Sequence, residues 1–180
     1  MKDIVIRKVK TEDAEQYIKL RNLVWKDAYK SIFPNEVFIA KDARADTEIK
    51  DFDKVYYNDT KVITYVAVVD NKIIGLLWGK IESEYEYFKN LGYADLMAMY
   101  IHPDFQGLGI ATKFKNIFIN WAKENGATNI VIGVLKDNIK ARKVYEKWGG
   151  KLSIYTNQFV QLGKEYEEVF YTYKLNILKS

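Results

Sequence analysis

The residues best placed to do chemistry run from His102 to Thr112: His102-Pro103-Asp104-Phe105-Gln106-Gly107-Leu108-Gly109-Ile110-Ala111-Thr112. Ahead of them Tyr93–Ile101 reads as a strand, and Pro103 stops its pairing because proline has no N–H for a ladder. Behind them Ile110, Phe114, Ile117, Phe118, Trp121 and Ala122 recur at helical spacing,. The segment is therefore a glycine-containing step from a strand into a helix. A helix start offers N–H groups without intrahelical partners and a partial positive charge. Glycines there let an anion reach the main chain. Such a step can hold an anion, and by itself it selects none. A dinucleotide loop would need a third glycine where Thr112 stands. A phosphate loop of the Gly-Lys-Ser/Thr kind is absent.

Something must position that step, and the hydrophobic pattern says what. Residues 3–8 alternate into a first strand. Thr11 is the expected N-cap of a helix whose stripe is Ala14, Tyr17, Ile18, Arg21 and Trp25,. Pro34 opens a shorter helical stretch through Ile39. Residues 41–60 are polar and carry little pattern beyond a helix around Ala45–Val55. Ile63–Val69 and Ile73–Ile81 read as two arms of a hairpin turning at Asp70-Asn71-Lys72. After Tyr93–Ile101 comes the helix 109–125, which stops at Gly126. A buried strand follows at Asn129–Leu135. Asp137 or Asn138 caps the next helix, with Ala141, Val144, Tyr145 and Trp148 as its stripe and Gly149-Gly150 at its end. Strands near Leu152–Phe159 and Glu167–Asn176 complete the order. The expected fold is α/β: a mixed, mostly antiparallel central sheet flanked by helices, with one strand–helix–strand crossover in the middle.

The string from His102 to Ala111 resembles the acyl-CoA-binding signature of the GNAT superfamily of N-acetyltransferases, matched at Gln106, Gly109 and Ala111. A second family signature is resembled at Asn138, Ala141, Tyr145, Trp148 and Gly149, and Trp25-Lys26-Asp27-Ala28-Tyr29 is similar to the family's first-helix region. The resemblance implies the GNAT (acyl-CoA N-acyltransferase) fold over residues 1–180 as a single domain. It implies acetyl-CoA as co-substrate and direct transfer of its acetyl group to an amine, with the oxyanion held by backbone N–H of the strand before the loop. Met99, Tyr100 and Ile101 would pair with the pantetheine arm. Gln106, Gly107, Leu108, Gly109, Ile110, Ala111 and Thr112 would bind the cofactor, those from Gly107 on at its pyrophosphate, and Asn138 would hydrogen-bond its arm. Asn138 could equally be a plain helix cap.

Tyr145 is by resemblance the general acid for the departing thiolate; otherwise it is a core tyrosine. Asp95, eleven residues before Gln106, is one family position for the base that takes the amine's proton, or else a strand-start residue facing water. Another family position for that base falls here on Gly133, which has no side chain to offer. Trp25, Tyr29, Glu84 and Tyr85 lie in the two regions that flank the family's acceptor pocket. Glu82, Glu84 and Glu86 would share one face of an extended chain, either attracting a cationic amine or forming a solvated edge.

Composition limits the alternatives. The 180 residues suit one domain,. The absence of cysteine excludes disulfides, thiolate metal sites and an acyl-cysteine relay, and fits a cytoplasmic setting,. With one histidine, His102, a zinc site is not expected,. The net charge of +4 is spread out, unlike the basic stripe of a nucleic-acid binder,. No apolar run has the length of a membrane span, and the charged start Met1-Lys2-Asp3 does not suit a signal peptide. The expected acceptor is a small amine or polyamine. The alternatives are a peptide or protein N-terminus or lysine, a non-catalytic acyl-CoA-binding regulatory domain, and a nucleotide-dependent oxidoreductase. A homodimer is the assembly the resemblance suggests.

Overall fold

A computed structural model describes residues 3–175. Met1, Lys2 and Asn176, the expected end of the last strand, lie outside them. In chain order the elements are β1 (Val5–Lys8), α1 (Ala14–Tyr29), α2 (Asn35–Asp42), α3 (Ala45–Lys50), β2 (Val62–Val69), β3 (Lys72–Lys80), β4 (Tyr93–Ile101), α4 (Ile110–Glu124), β5 (Asn129–Leu135), α5 (Ile139–Lys147), β6 (Lys151–Gln161) and β7 (Lys164–Lys174). The strands form one seven-stranded sheet in the order β1-β2-β3-β4-β5-β7-β6. β4 and β5 are parallel, as the crossover requires, while β1–β2, β5–β7 and β6–β7 are antiparallel. This is the mixed, mostly antiparallel sheet that the pattern predicts. By contacts the chain divides into two compact units. One comprises residues up to Gly79 together with Ala98–Phe118, the other Lys80–Met97 together with residues from Ile119 on.

The first unit is built on the inner face of α1. Tyr17, Ile18, Leu20 and Val24 pack with Phe52, Tyr56, Val66, Leu76 and Ala98. Arg21 shares that face and is itself buried, so its charge needs partners. It ion-pairs with Glu48 and donates to the Tyr56 hydroxyl (3.0 Å) and to Asn22 Oδ1 (2.8 Å). Burial costs this guanidinium, but its partners win and hold its pKa above the ordinary value. Removing one member of a buried pair strands the other. Arg21→Met is therefore expected to cost about 2–4 kcal/mol of unfolding free energy, read as a lower urea midpoint; an unmoved midpoint would show the network to be dispensable.

In the second unit Phe88, Val131 and Phe170 form a small core with Tyr85 and Tyr93 against it. Helix α5 is tied to β7: Arg142 Nε donates to the Tyr171 hydroxyl (3.2 Å), which donates to Glu146 Oε1 (2.6 Å). The Tyr173 hydroxyl donates to the Tyr145 carbonyl (2.9 Å).

Three local expectations are corrected. Thr11 caps nothing; it lies in a 3-10 turn, Thr11–Asp13, and its hydroxyl donates to Asp53 (3.0 Å). The acceptor at this start is Asp13, which takes the Lys10 N–H (2.8 Å) and both terminal nitrogens of Arg7 (2.6 and 2.8 Å). Burial pushes the Asp13 carboxyl up, but Arg7 and the Lys10 N–H outweigh it and hold it low. The stretch 45–55 is not one helix: α3 ends at Lys50, and a wide turn, Asp53–Tyr57, follows. The last two strands reach further toward each other than Phe159 and Glu167. Leu162 and Gly163 both adopt positive φ (48° and 78°), the geometry of a two-residue hairpin turn,.

Candidate active site

The loop from β4 to α4 is tied to β3 and to the end of β4. The His102 N–H donates to the Ile74 carbonyl (2.8 Å), and the His102 ring accepts from Asp104 N (3.3 Å). Gln106 folds its side-chain amide back onto the Ile101 carbonyl (3.2 Å). That fixes the chain just before Gly107 and Gly109, which both have φ of 78°, a conformation that disfavours any residue with a Cβ,. A Cβ at either glycine would meet nothing within 4 Å, so the main chain here is open to a ligand. Helix α4 starts immediately afterwards. Its first turn carries no acid, so nothing there opposes an anion at the N–H groups of Ile110, Ala111 and Thr112,. Ile110 is buried and anchors the turn, while Leu108 is exposed. Met99, Tyr100 and Ile101 form the end of β4. The register between β4 and β5 covers Tyr93–Asn129, Ala94–Ile130 and Asp95–Val131.

Trp25 and Tyr29 also lie in the first unit. Trp25 stacks on Phe33 (5.1 Å), meets Tyr29 (5.1 Å) and Phe38 edge-on (5.6 Å), and carries Lys41 Nζ over its ring (4.9 Å). Burial, with Arg21 nearby, lowers the Lys41 pKa to about 8.

The second unit holds the remaining expected residues. Asn138 is the N-cap of α5, its Oδ1 accepting from Ala141 N (3.2 Å). Tyr145 is half-buried on α5, a helix with no fully buried residue, and its ring meets Trp148 and Tyr171 (both 5.9 Å). Asp95 does not face water: it is only 1% exposed, and neither carboxyl oxygen has a partner in hydrogen-bond geometry. Burial drives its pKa up to about 6. The nearby Ser83 hydroxyl and Glu84 N–H pull the other way without prevailing.

Glu82, Glu84 and Glu86 are exposed in a loop that turns at Tyr85, not along an extended strand. Glu84 pairs with Lys80 (2.5 Å). Tyr85 turns inward, donates to Glu168 Oε1 (3.1 Å) and packs edge-on against Phe170. Glu168 was not among the expected site residues. In sequence it sits in the charged run Lys164-Glu165-Tyr166-Glu167-Glu168, and only the pairing of β7 with β5 and β6 reveals that it is buried. Among the described residues no group of three or more His, Cys, Asp or Glu could hold a metal ion.

The fold and the glycine step match a known family. Residues 19–150 match the model of the acetyltransferase (GNAT) family, and the chain belongs to that family. It is 27% identical over 105 residues to N-acetylaspartate synthetase of Xenopus tropicalis, a match covering 58% of this chain and 36% of that protein. The chain thus spans about a third of that relative's length. Among solved structures it is similar to the PaiA N-acetyltransferase of Thermoplasma acidophilum in complex with coenzyme A, with a TM-score of 0.73, 20% identity, and coverage of 96% and 99% of the two chains. It is also similar to YncA of Salmonella typhimurium with its cofactor acetyl-CoA, with a TM-score of 0.65, 16% identity, and coverage of 98% and 96%. At these identities the structural likeness speaks to fold.

Proposed function

We propose that this chain is one N-acetyltransferase domain that transfers an acetyl group from acetyl-CoA to a small primary amine or polyamine, both substrates being bound together. The observation that carries this reading is the step at Gly107 and Gly109 into an acid-free first turn of α4, open along its main chain. Those features suit a pyrophosphate, and the solved neighbours whose names include coenzyme A or acetyl-CoA add support.

In this reading Gly107–Thr112 bind the pyrophosphate and the backbone of Met99, Tyr100 and Ile101 follows the pantetheine arm. Gln106 acts through the loop it closes, and Asn138 serves the cofactor arm as well as capping α5. Acetyl-CoA supplies the thioester. Asp95 accepts the proton that the amine loses on attack, and Tyr145 gives a proton to the leaving thiolate, so the carbon–sulfur bond breaks as the carbon–nitrogen bond forms. Trp25, Tyr29, Glu84 and Tyr85 serve the acceptor. A cytoplasmic setting and a homodimer belong to the same reading; no helix among the described residues is long and apolar enough to cross a membrane.

The test is incubation with acetyl-CoA and a pooled library of amines and peptides, followed by mass detection of products heavier by one acetyl group. Acetylated amines with stoichiometric release of free thiol are expected. Tight binding of acetyl-CoA with no product from any pool would refute catalysis.

A further inference from the structure

Glu168 poses a physical question that the roles above leave open. Strand register places Asn157 on β6 and Leu135 on β5 opposite it, with Gly133 two residues along on the same face of the sheet,. Its carboxylate lies directly over Gly133. A Cβ at residue 133 would come within 2.5 Å of Glu168 Oε1 and 2.6 Å of the Tyr85 hydroxyl. Residue 133 has no positive φ, so space and not backbone conformation calls for glycine there. The side chain that β5 lacks at this point is replaced by a carboxylate from β7 and a phenol from the loop before β4.

That carboxylate is nearly fully desolvated, with 8% exposure. Tyr85 donates to one oxygen (3.1 Å) and Asn157 Nδ2 to the other (3.1 Å). Both donors are neutral. Burial outweighs them and raises the Glu168 pKa. The neighbouring cations have other engagements: Lys136 pairs with Glu167 (2.7 Å), and Arg142 serves Tyr171 and the Lys136 carbonyl. A buried carboxylate lacking a cation is costly. A second one lies close by in the same unit, since both Asp95 and Glu168 act electrostatically on Tyr85. The surroundings are aromatic: Phe170 is edge-on to Tyr85 (4.6 Å) and to Phe88 (5.2 Å), and Tyr87 stacks on Tyr155 (4.3 Å). Gly133 is partly exposed and Asn157 exposed, so the buried carboxylate lies between residues that border solvent.

We propose that Glu168, held by Tyr85 and Asn157 above Gly133, is the residue that binds the acceptor's ammonium group, so that the acceptor is a primary amine arriving as a cation on an apolar stem. This rests on the reading of the chain as an amine acetyltransferase. The carboxylate supplies the charge, and the rings supply cation–π contact for the ammonium and apolar contact for the stem.

Calorimetric titration of the full chain with 2-phenylethylamine and with its uncharged counterpart 2-phenylethanol tests the assignment, with acetyl-CoA titrated in a separate arm. The wild type should bind the amine about tenfold or more tightly than the alcohol, the scale of one charge-assisted hydrogen bond. Glu168→Gln should bring that ratio close to one, leave acetyl-CoA affinity unchanged and melt no lower than wild type, because it removes an uncompensated buried charge. Gly133→Ala, which pushes the carboxylate aside from below, should likewise abolish the preference. The proposal is overturned if the wild type does not prefer the amine, if either variant keeps the preference, or if Glu168→Gln melts lower and so reveals a structural role. Failure of the acetyl-CoA arm would instead count against the acetyltransferase reading itself.

Discussion

Tyr145→Phe should lower kcat by about a hundredfold, the lower end of what a positioned proton donor contributes, while acetyl-CoA binds as tightly as before. The expectation follows from how the residue is held. Its carbonyl accepts from the Tyr173 hydroxyl (2.9 Å) and from Gly150 N (3.0 Å), which locks the main chain at the end of α5. The other end of the helix is fixed by the Asn138 cap, and its middle by Arg142 and Glu146 on the Tyr171 hydroxyl. The ring rests against Trp148 and Tyr171. These contacts are made by the Tyr145 carbonyl and ring, so the melting temperature is measured beside kcat to separate a structural loss from a chemical one. A loss confined to kcat therefore reports on chemistry. The thiolate is a reluctant leaving group without a proton, and in the variant the proton would have to come from water. Steady-state kinetics with acetyl-CoA held saturating would settle the point: a kcat within about twofold of wild type removes Tyr145 from the mechanism.

The order of elements was legible in the sequence because burial dictates it. The α1 residues at 14, 17, 18 and 21 are all buried, and Ile110, Phe114, Phe118 and Ala122 of α4 are buried as their spacing predicts. The glycine step was legible for a different reason: positive φ leaves a mark in residue type. What escaped was decided across strands. Thr11 was a good cap by type, but Asp13 had Arg7 to pair with. Leu162 carries no turn signal, yet it takes positive φ beside Gly163. Glu168 looked like one more charge in a solvated run until register placed it opposite Asn157 and over Gly133. The glycine at 133 was visible in the sequence as an acid missing from one strand. That a neighbouring strand fills the space could be seen only once the strands were paired.

The two carboxylates of the second unit carry a cost that links activity to stability, and Asp95→Asn should expose it. Folding raises the Asp95 pKa from 3.8 to about 6 because burial penalises the charge. The folded state then holds its proton more tightly than the unfolded state does. The associated stability is fully present below the unfolded value and is lost as pH rises through about 6. At pH 7 the ionised carboxylate should cost about 2–3 kcal/mol. Asp95→Asn removes the charge while keeping the shape, so it should melt higher than wild type at pH 7, and the gain should shrink as pH falls toward 4. In the proposed mechanism the same change deprives the attacking amine of its proton acceptor. In the wild type, kcat/KM should fall on the acid side with a limb near pH 6; in the variant that limb should disappear and the plateau should drop about a hundredfold. A residue kept for packing would give the opposite signs, with lower stability and an unmoved pH profile. A variant that is both more stable and less active is what a buried, unpaired carboxylate retained for proton transfer must produce.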